Sequence, residues 1–560
     1  MTRGTDFVSV PRVKRLLALA LALGLAAGAF RAVHLGTASI WWDELVHVHL
    51  ATRPAAELLD AVKWGPIATP AGNVGAMPLD YVLLHAWARV APAPAAPHLE
   101  AYWRFPSWLW STLAVVVLAL LLGTVAGPLA AVVGGGLMAF SVAAALYAAE
   151  ARPYSLMTLL SAANLATFAA VARPRSTRRA WLGFVAVALA FVATGLPSAP
   201  MLAAEGAILL GLAVARDDSA AVAGVAATAL AVALAAGLYL HGIDLHAGFA
   251  RAKPADPRAV ANTLSFLLAG EYGHPFTLLA AAAAVPLAVR HTARAAPRAA
   301  AVLAAAVASF VALPALLVAV RVKEYYFHVR HALFLLPPFV VVVTLGVLGA
   351  ADLVARGSRT RRAVLAVGAA LALAAPPAAA FLADPFRYFF WTKAIHDWKG
   401  LARRLEATSD EGILLVAENA NRDHDRANYL GVWYLQAYHL TDRILFCSTW
   451  DLRTAARLIA DAERAGTLRM LDRGCTAVLD LQKPTLYVDF RTHLGALGDP
   501  RTLPPPPAPR VPAAGGRPPI RHWMLLAFDA RTSVPGLRAE PRPGFVLLDA
   551  PAPLARGDRR

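Results

Sequence analysis

Charge and cysteine are both scarce in this chain. Only 16% of its 560 residues are Asp, Glu, Lys or Arg, where an ordinary soluble protein carries roughly a quarter. Acidic residues are the scarcer sign, 36 against 53 Lys and Arg, for a formal net charge of +17. With 58% hydrophobic residues and a mean hydropathy of +0.53, this composition excludes an ordinary soluble enzyme and reads as a polytopic membrane protein. The positive excess would suit nucleic acid. Its distribution argues against that partner, because the basic residues fall in short clusters between apolar runs, as they do in cytoplasmic loops. Two cysteines, Cys447 and Cys475, are too few for a zinc framework. They could pair in an oxidising compartment; the alternative is two buried thiols.

What the chain has in abundance is apolar runs. Arg12, Lys14 and Arg15 precede the first one, which ends near Ala-Gly-Ala-Phe30. A cleaved signal peptide has this shape, but more spans follow, so the run reads as an uncleaved first span. At about 20 apolar residues per span, the runs predict about eleven spans. They lie near 16–35, two within 105–149 turning at Ala126-Gly127-Pro128, one from Tyr154 to before Arg173, and then 181–197, 199–215, 220–240, 276–289, 299–320, 332–350 and 363–382. Residues 36–104 form a large first external loop with helices lying at the interface. With the N-terminus cytoplasmic, Arg173–Arg179, Arg216, Arg290–Arg298 and Arg356–Arg362 fall in inner loops. Residues 1–383 are thus expected to be a polytopic α-helical membrane domain.

Residues 384–560 are more polar and are expected to be an external, periplasmic α/β domain. Strand-like runs occur at Ile413–Ala417, Ile444–Cys447, Thr476–Leu479, Met524–Phe528 and Phe545–Leu548, with a helix-like run at Thr454–Arg464. Pro504–Pro507 and the stretch to Pro519 read as a linker or surface loop. The chain shows no convincing internal repeat.

The chemistry gathers at one set of span ends. Trp41-Trp42-Asp43-Glu44 follows the first span directly. Tryptophan favours the interface, and carboxylates beside a bilayer are costly unless they work. Arg104 starts the second span, and Glu150, Arg152 and Tyr154 sit between the third and fourth. Lys323, Glu324, Arg330 and His331 lie between the ninth and tenth, and the loop 241–275 adds His246, Arg251, Lys253, Glu271 and His274. All fall on the external side, where a lipid-borne substrate would present its headgroup. Asp43 and His47 share a face if helical, so they are a candidate metal-ligand pair; the plainer reading is two polar residues on an interfacial helix. Glu150 is either a helix-end charge paired with Arg152 or a second active-site carboxylate facing Asp43. Arg422–Arg426 reads as a solvated helix start.

These pieces resemble the membrane-embedded GT-C glycosyltransferases, most closely the family-39-like group related to protein O-mannosyltransferases and aminoarabinose transferases. The matching segments are Ser39–Glu44, Met77–His85, Arg104–Ser107, Glu150–Tyr154, Val329–Pro337 and Asp397–Gly400. The chain departs from the group at Met77-Pro78, where Pro-Pro is frequent, and at Arg330-His331, where Arg-Tyr is frequent. The resemblance implies a GT-C-like fold in a bacterial inner membrane. It implies transfer of a sugar from a polyprenyl-phosphate carrier to an acceptor hydroxyl of a glycan, lipid or protein. Asp43 would be the base, with Glu44 and Glu150 orienting the acceptor. Arg104, Arg152, Tyr154, Lys323, Arg330 and His331 would bind substrate or phosphate. A divalent metal held by Asp43, Glu44, Glu150 and His47 is a candidate cofactor.

The alternative class is a lipid or solute transporter or flippase of envelope glycan assembly. Transporters place ionisable residues near mid-membrane, often at broken helices, whereas the charges here gather at span ends. Gly134-Gly135-Gly136 is either such a break or a site of close helix packing. A non-catalytic scaffold displaying the external domain is a third class, and it would have no need of Asp43, Glu44 and Glu150 on one side.

Overall fold

The computed structural model describes residues 10–56, 58, 67–69, 72–74, 78–91, 94, 98–241, 259–269, 275–294, 297–313, 315, 329–385, 388, 396–407, 412–418, 430–431, 434–435, 437–438, 440, 444–449, 452–465, 520–528, 532–534, 537–542 and 545–549. The chain divides into two compact units. The first contains Met1–Leu35, Pro54–Trp87 and Trp103–Tyr388; the second contains Gly36–Arg53, Ala88–Tyr102 and Phe389–Arg560. Two pieces of the first loop therefore group with the C-terminal region.

The first unit is helical apart from a short hairpin, β1 (Ile67–Thr69) with β2 (Gly72–Val74), which the sequence patterning did not signal. Among the described residues, seven helices are long and apolar enough to cross a membrane, or eight if the bent pair Pro128–Ala139 and Val142–Ala148 is one span. Of the roughly eleven apolar runs expected, three are not among these helices. Arg178–Thr194 has 17 residues, about 25 Å at 1.5 Å per residue against about 30 Å of hydrocarbon. Pro275–Arg294 ends in Arg290, His291 and Arg294, and Pro297–Val311 is short.

The Leu336–Val354 helix is the centre of this unit. It is buried nearly all round and packs against Pro275–Arg294, Pro297–Ala308, Arg359–Ala383, Pro128–Ala139 and Tyr154–Val171. Ser219–Gly237 is the opposite case, apolar on all sides and hardly buried, as a lipid-facing helix should be. Gly134 and Gly135 serve close packing. A Cβ on Gly134 would meet Leu122 and, at 2.7 Å, Thr344 Oγ1, while one on Gly135 would lie 2.7 Å from Leu23 Cδ1. The 54° bend comes later, after Ala139, where Ser141 caps the next helix by accepting from Ala144 N–H.

In the second unit a five-stranded sheet has the order β4-β3-β5-β7-β6. Strands β3 (Gly412–Glu418), β4 (Ile444–Thr449) and β5 (Ile520–Ala527) are parallel; β6 (Arg538–Arg542) and β7 (Phe545–Asp549) continue antiparallel. Leu414 and Val416 of β3 pack with Leu525, Leu548 and the Leu452–Arg464 helix, so alternate residues of this interior strand cover one face. Four of the expected strands appear here; Thr476–Leu479 lies outside the described residues, as does Cys475. Strand β6, with the sequence Arg-Ala-Glu-Pro-Arg, gives no hydrophobic signal. It is an edge strand, where proline and charge are tolerated.

Candidate active site

The candidate residues fall into two groups. Asp43, Glu44 and His47 belong to the second unit; Arg104, Glu150, Arg152, Tyr154, Arg330 and His331 belong to the first. Lys323, Glu324, His246, Arg251, Lys253, Glu271, His274 and Arg422–Arg426 lie outside the described residues.

In the second unit, extended backbone at Trp41 leads into the Trp42–Thr52 helix, whose first turn holds Asp43 and Glu44. Carboxylates there are favoured by the helix dipole. The Glu44 carboxylate turns back to accept the Trp41 N–H at 3.2 Å, and the residue is fully buried. This is the acidic half of a capping box. Asp43 is half-buried, and His47, one turn on, is buried. The adjacent carboxylates therefore sit in different environments, Glu44 enclosed at the helix cap and Asp43 within reach of solvent.

In the first unit, the break between Val142–Ala148 and Tyr154–Val171 carries Glu150, Arg152 and Tyr154. A turn closes as Arg152 N–H donates to Glu150 O at 2.8 Å, and Ser107 Oγ donates to Arg152 O at 3.4 Å. The Arg152 guanidinium donates to Tyr154 Oη at 3.1 Å. Glu150 and Tyr154 are buried, and the His331 ring lies 6.5 Å from that of Tyr154. His331 and Arg330, both half-buried, stand in the 3-10 turn Val329–Leu335. Arg104 is buried and donates to Leu35 O at 3.1 Å, tying the second span to the chain just after the first.

One residue absent from the sequence-based site is Asp80. It lies buried in the Pro78–Val90 helix, and burial pushes its carboxyl up to about 7, partly opposed by the positive charge of Arg152. The signal was present, since Met77–His85 is one of the matching segments. Arg31 was also missed. Its buried guanidinium donates to Ser111 O and, at 2.7 Å, to Met138 O, joining three helices. Glu205 departs from the pattern of charges at span ends. It is buried within the Ala199–Ala215 helix and accepts from Asn164 Nδ2 of the Tyr154–Val171 helix.

No family model matches the chain, and no curated protein matches it. Among solved structures it is similar to ArnT from Cupriavidus metallidurans bound to undecaprenyl phosphate, with 12% identity, 98% of this chain and 100% of that chain covered, and a TM-score of 0.46. It is also similar to the oligosaccharyltransferase AglB from Archaeoglobus fulgidus in complex with an inhibitory peptide and a dolichol-phosphate. There the identity is 14%, the coverage 83% of this chain and 73% of that one, and the TM-score 0.45.

Among the described residues, no group of three or more His, Cys, Asp or Glu is placed to hold a metal ion.

Proposed function

We propose that this chain is a glycosyltransferase that moves a sugar from a polyprenyl-phosphate carrier to an acceptor hydroxyl at the outer face of the membrane. The observation that carries the reading is the split environment of Asp43 and Glu44: one carboxylate closes the helix cap, and its neighbour stays half-exposed at the positive end of the same helix. A carboxylate so placed suits a general base.

In the proposed step Asp43 takes the proton of the acceptor hydroxyl, and the acceptor oxygen bonds to the anomeric carbon. The bond from that carbon to the phosphate oxygen breaks, and its electron pair leaves with the polyprenyl phosphate. A single displacement inverts the anomeric centre. The leaving phosphate needs positive charge rather than a proton. Within the first unit, Arg152, Tyr154, Arg330 and His331 are the candidate phosphate-binding residues, with the buried carboxyl of Asp80 facing the charge of Arg152. Purified protein with a labelled polyprenyl-phosphate sugar tests this. Asp43→Asn should abolish transfer; wild-type rates in that variant would sink the assignment of the base.

A second reading, movement of a lipid-linked precursor across the bilayer, has one observation in its favour. Glu205 is an ionisable residue buried inside a candidate span. Headgroup movement across liposomes without sugar transfer would support it.

A further inference from the structure

The segment Asp397-Trp398-Lys399-Gly400 has a defined place in the second unit. Asp397 Oδ1 accepts the Gly400 N–H at 3.0 Å, capping the Trp398–Ala407 helix, while Asp397 Oδ2 pairs with Arg542 at 3.0 Å. Trp398 is buried, its ring 5.3 Å from that of Phe545. Lys399 is therefore held by neighbours on both sides, and its side chain is itself buried.

That side chain reaches two partners. Lys399 Nζ donates to Glu100 Oε2 at 2.8 Å and to Gly36 O at 2.7 Å. Glu100, fully buried, accepts from Tyr434 Oη at 2.9 Å through its other oxygen. The Tyr434 hydroxyl in turn accepts the Ile40 N–H at 2.6 Å, and the Lys399 N–H donates to Ser39 Oγ at 3.1 Å. Three bonds thus land on residues 36–40, at the carbonyl of Gly36, the hydroxyl of Ser39 and the amide of Ile40. Trp41, Trp42 and Asp43 follow immediately.

A buried Lys–Glu pair is expensive to desolvate and is weak evidence for stability in itself. A more direct use of it here is specificity of position. The charges are satisfied by a backbone carbonyl and a tyrosine that belong to two separate stretches of chain, and these bonds are made with residues 36–40 in the arrangement seen here.

We propose that Lys399, Glu100 and Tyr434 are positioning residues that fix the backbone of 36–40 and thereby place Asp43. The inference rests on the reading of Asp43 as the base. Misplacing a reacting group by about 1 Å can cost on the order of 100-fold in rate. Tyr434→Phe removes one hydroxyl and leaves the ring. Lys399→Met with Glu100→Gln removes both charges together, so that neither is left buried alone.

The experiment uses the full chain in detergent or nanodiscs, with amide hydrogen exchange across 36–45 and sugar transfer measured on the same preparations. Tyr434→Phe should speed exchange in the peptide containing Ile40 and leave the helices of the first unit unchanged. The same variant and the double variant should lower kcat by roughly 10- to 100-fold, with KM for the labelled polyprenyl-phosphate sugar unchanged. A rise in KM at constant kcat, or unaltered exchange at 36–45, overturns the proposal. Absence of transfer by the wild-type protein overturns the glycosyltransferase reading instead, and the exchange result then decides on its own whether the network holds this segment.

Discussion

Glu44 accepts a hydrogen bond from the backbone N–H of Trp41 at 3.2 Å, and that bond closes the first turn of the helix on which Asp43 rides. Two carboxylates that are adjacent in sequence are thereby given different work. Substitution should separate them. Glu44→Ala should lower stability by about 1 kcal/mol through loss of the cap, seen as a lower unfolding temperature in detergent. Asp43→Asn should leave the unfolding temperature unchanged and reduce transfer by about 100-fold or more.

Asp80 makes stability depend on pH in a defined direction. Burial raises its carboxyl from 3.8 to about 7, so the folded protein binds this proton more tightly than the unfolded chain does. Its contribution therefore falls as pH rises between those values and is flat above and below them. In thermal unfolding at pH 5 and pH 7.5, Asp80→Asn should lose part of the decline shown by the wild-type protein. An identical decline in both would refute the assignment.

Glycine positions in the first unit divide by what a methyl group would meet. A Cβ on Gly346 would lie 2.7 Å from the Cα and O of Ala284, whereas one on Gly136 meets nothing within 4 Å. Gly346→Ala should destabilise by about 1–3 kcal/mol, because backbone rather than a flexible side chain must yield. Gly136→Ala should be neutral or stabilising by up to about 1 kcal/mol, from helix propensity alone. Unfolding temperatures of the two variants, purified side by side, check the contrast.

Glu205 and Asn164 join two helices inside the bundle, and the remaining oxygens, Glu205 Oε1 and Asn164 Oδ1, have no hydrogen-bond partner among the described residues. An interhelical polar pair of this kind contributes on the order of 0.6–2 kcal/mol. Glu205→Leu and Asn164→Leu should each destabilise, and the double variant should cost less than the sum of the two. If sugar transfer per folded molecule survives Glu205→Gln, the pair serves packing; loss of headgroup movement in that variant would favour the transport reading.

Much of the architecture was legible along the chain. Long apolar runs become helices wherever they occur, because a backbone in lipid must satisfy its own hydrogen bonds. Gly127 marked a turn and adopts positive φ, and Ile413–Ala417, a short run of apolar residues, became an interior strand of the sheet. Less legible was β6, a strand with no apolar pattern because an edge strand needs none. Within the candidate site, Asp43 and Glu44 drew attention as charges in an apolar setting. Asp80 lies within the segment Met77–His85, but its burial cannot be read from a single position.

By itself the sequence determined that this is a chain of membrane-length apolar helices followed by an α/β unit, since hydrophobicity and its period are local properties. It also determined which charged residues stand beside apolar runs. The tertiary structure alone decided that Gly36–Arg53 and Ala88–Tyr102 group with the C-terminal region, and that Lys399, Glu100 and Tyr434 meet around Ile40. Those partners are separated by hundreds of residues, and no local pattern encodes a contact whose energy comes from burial and hydrogen-bond satisfaction in three dimensions.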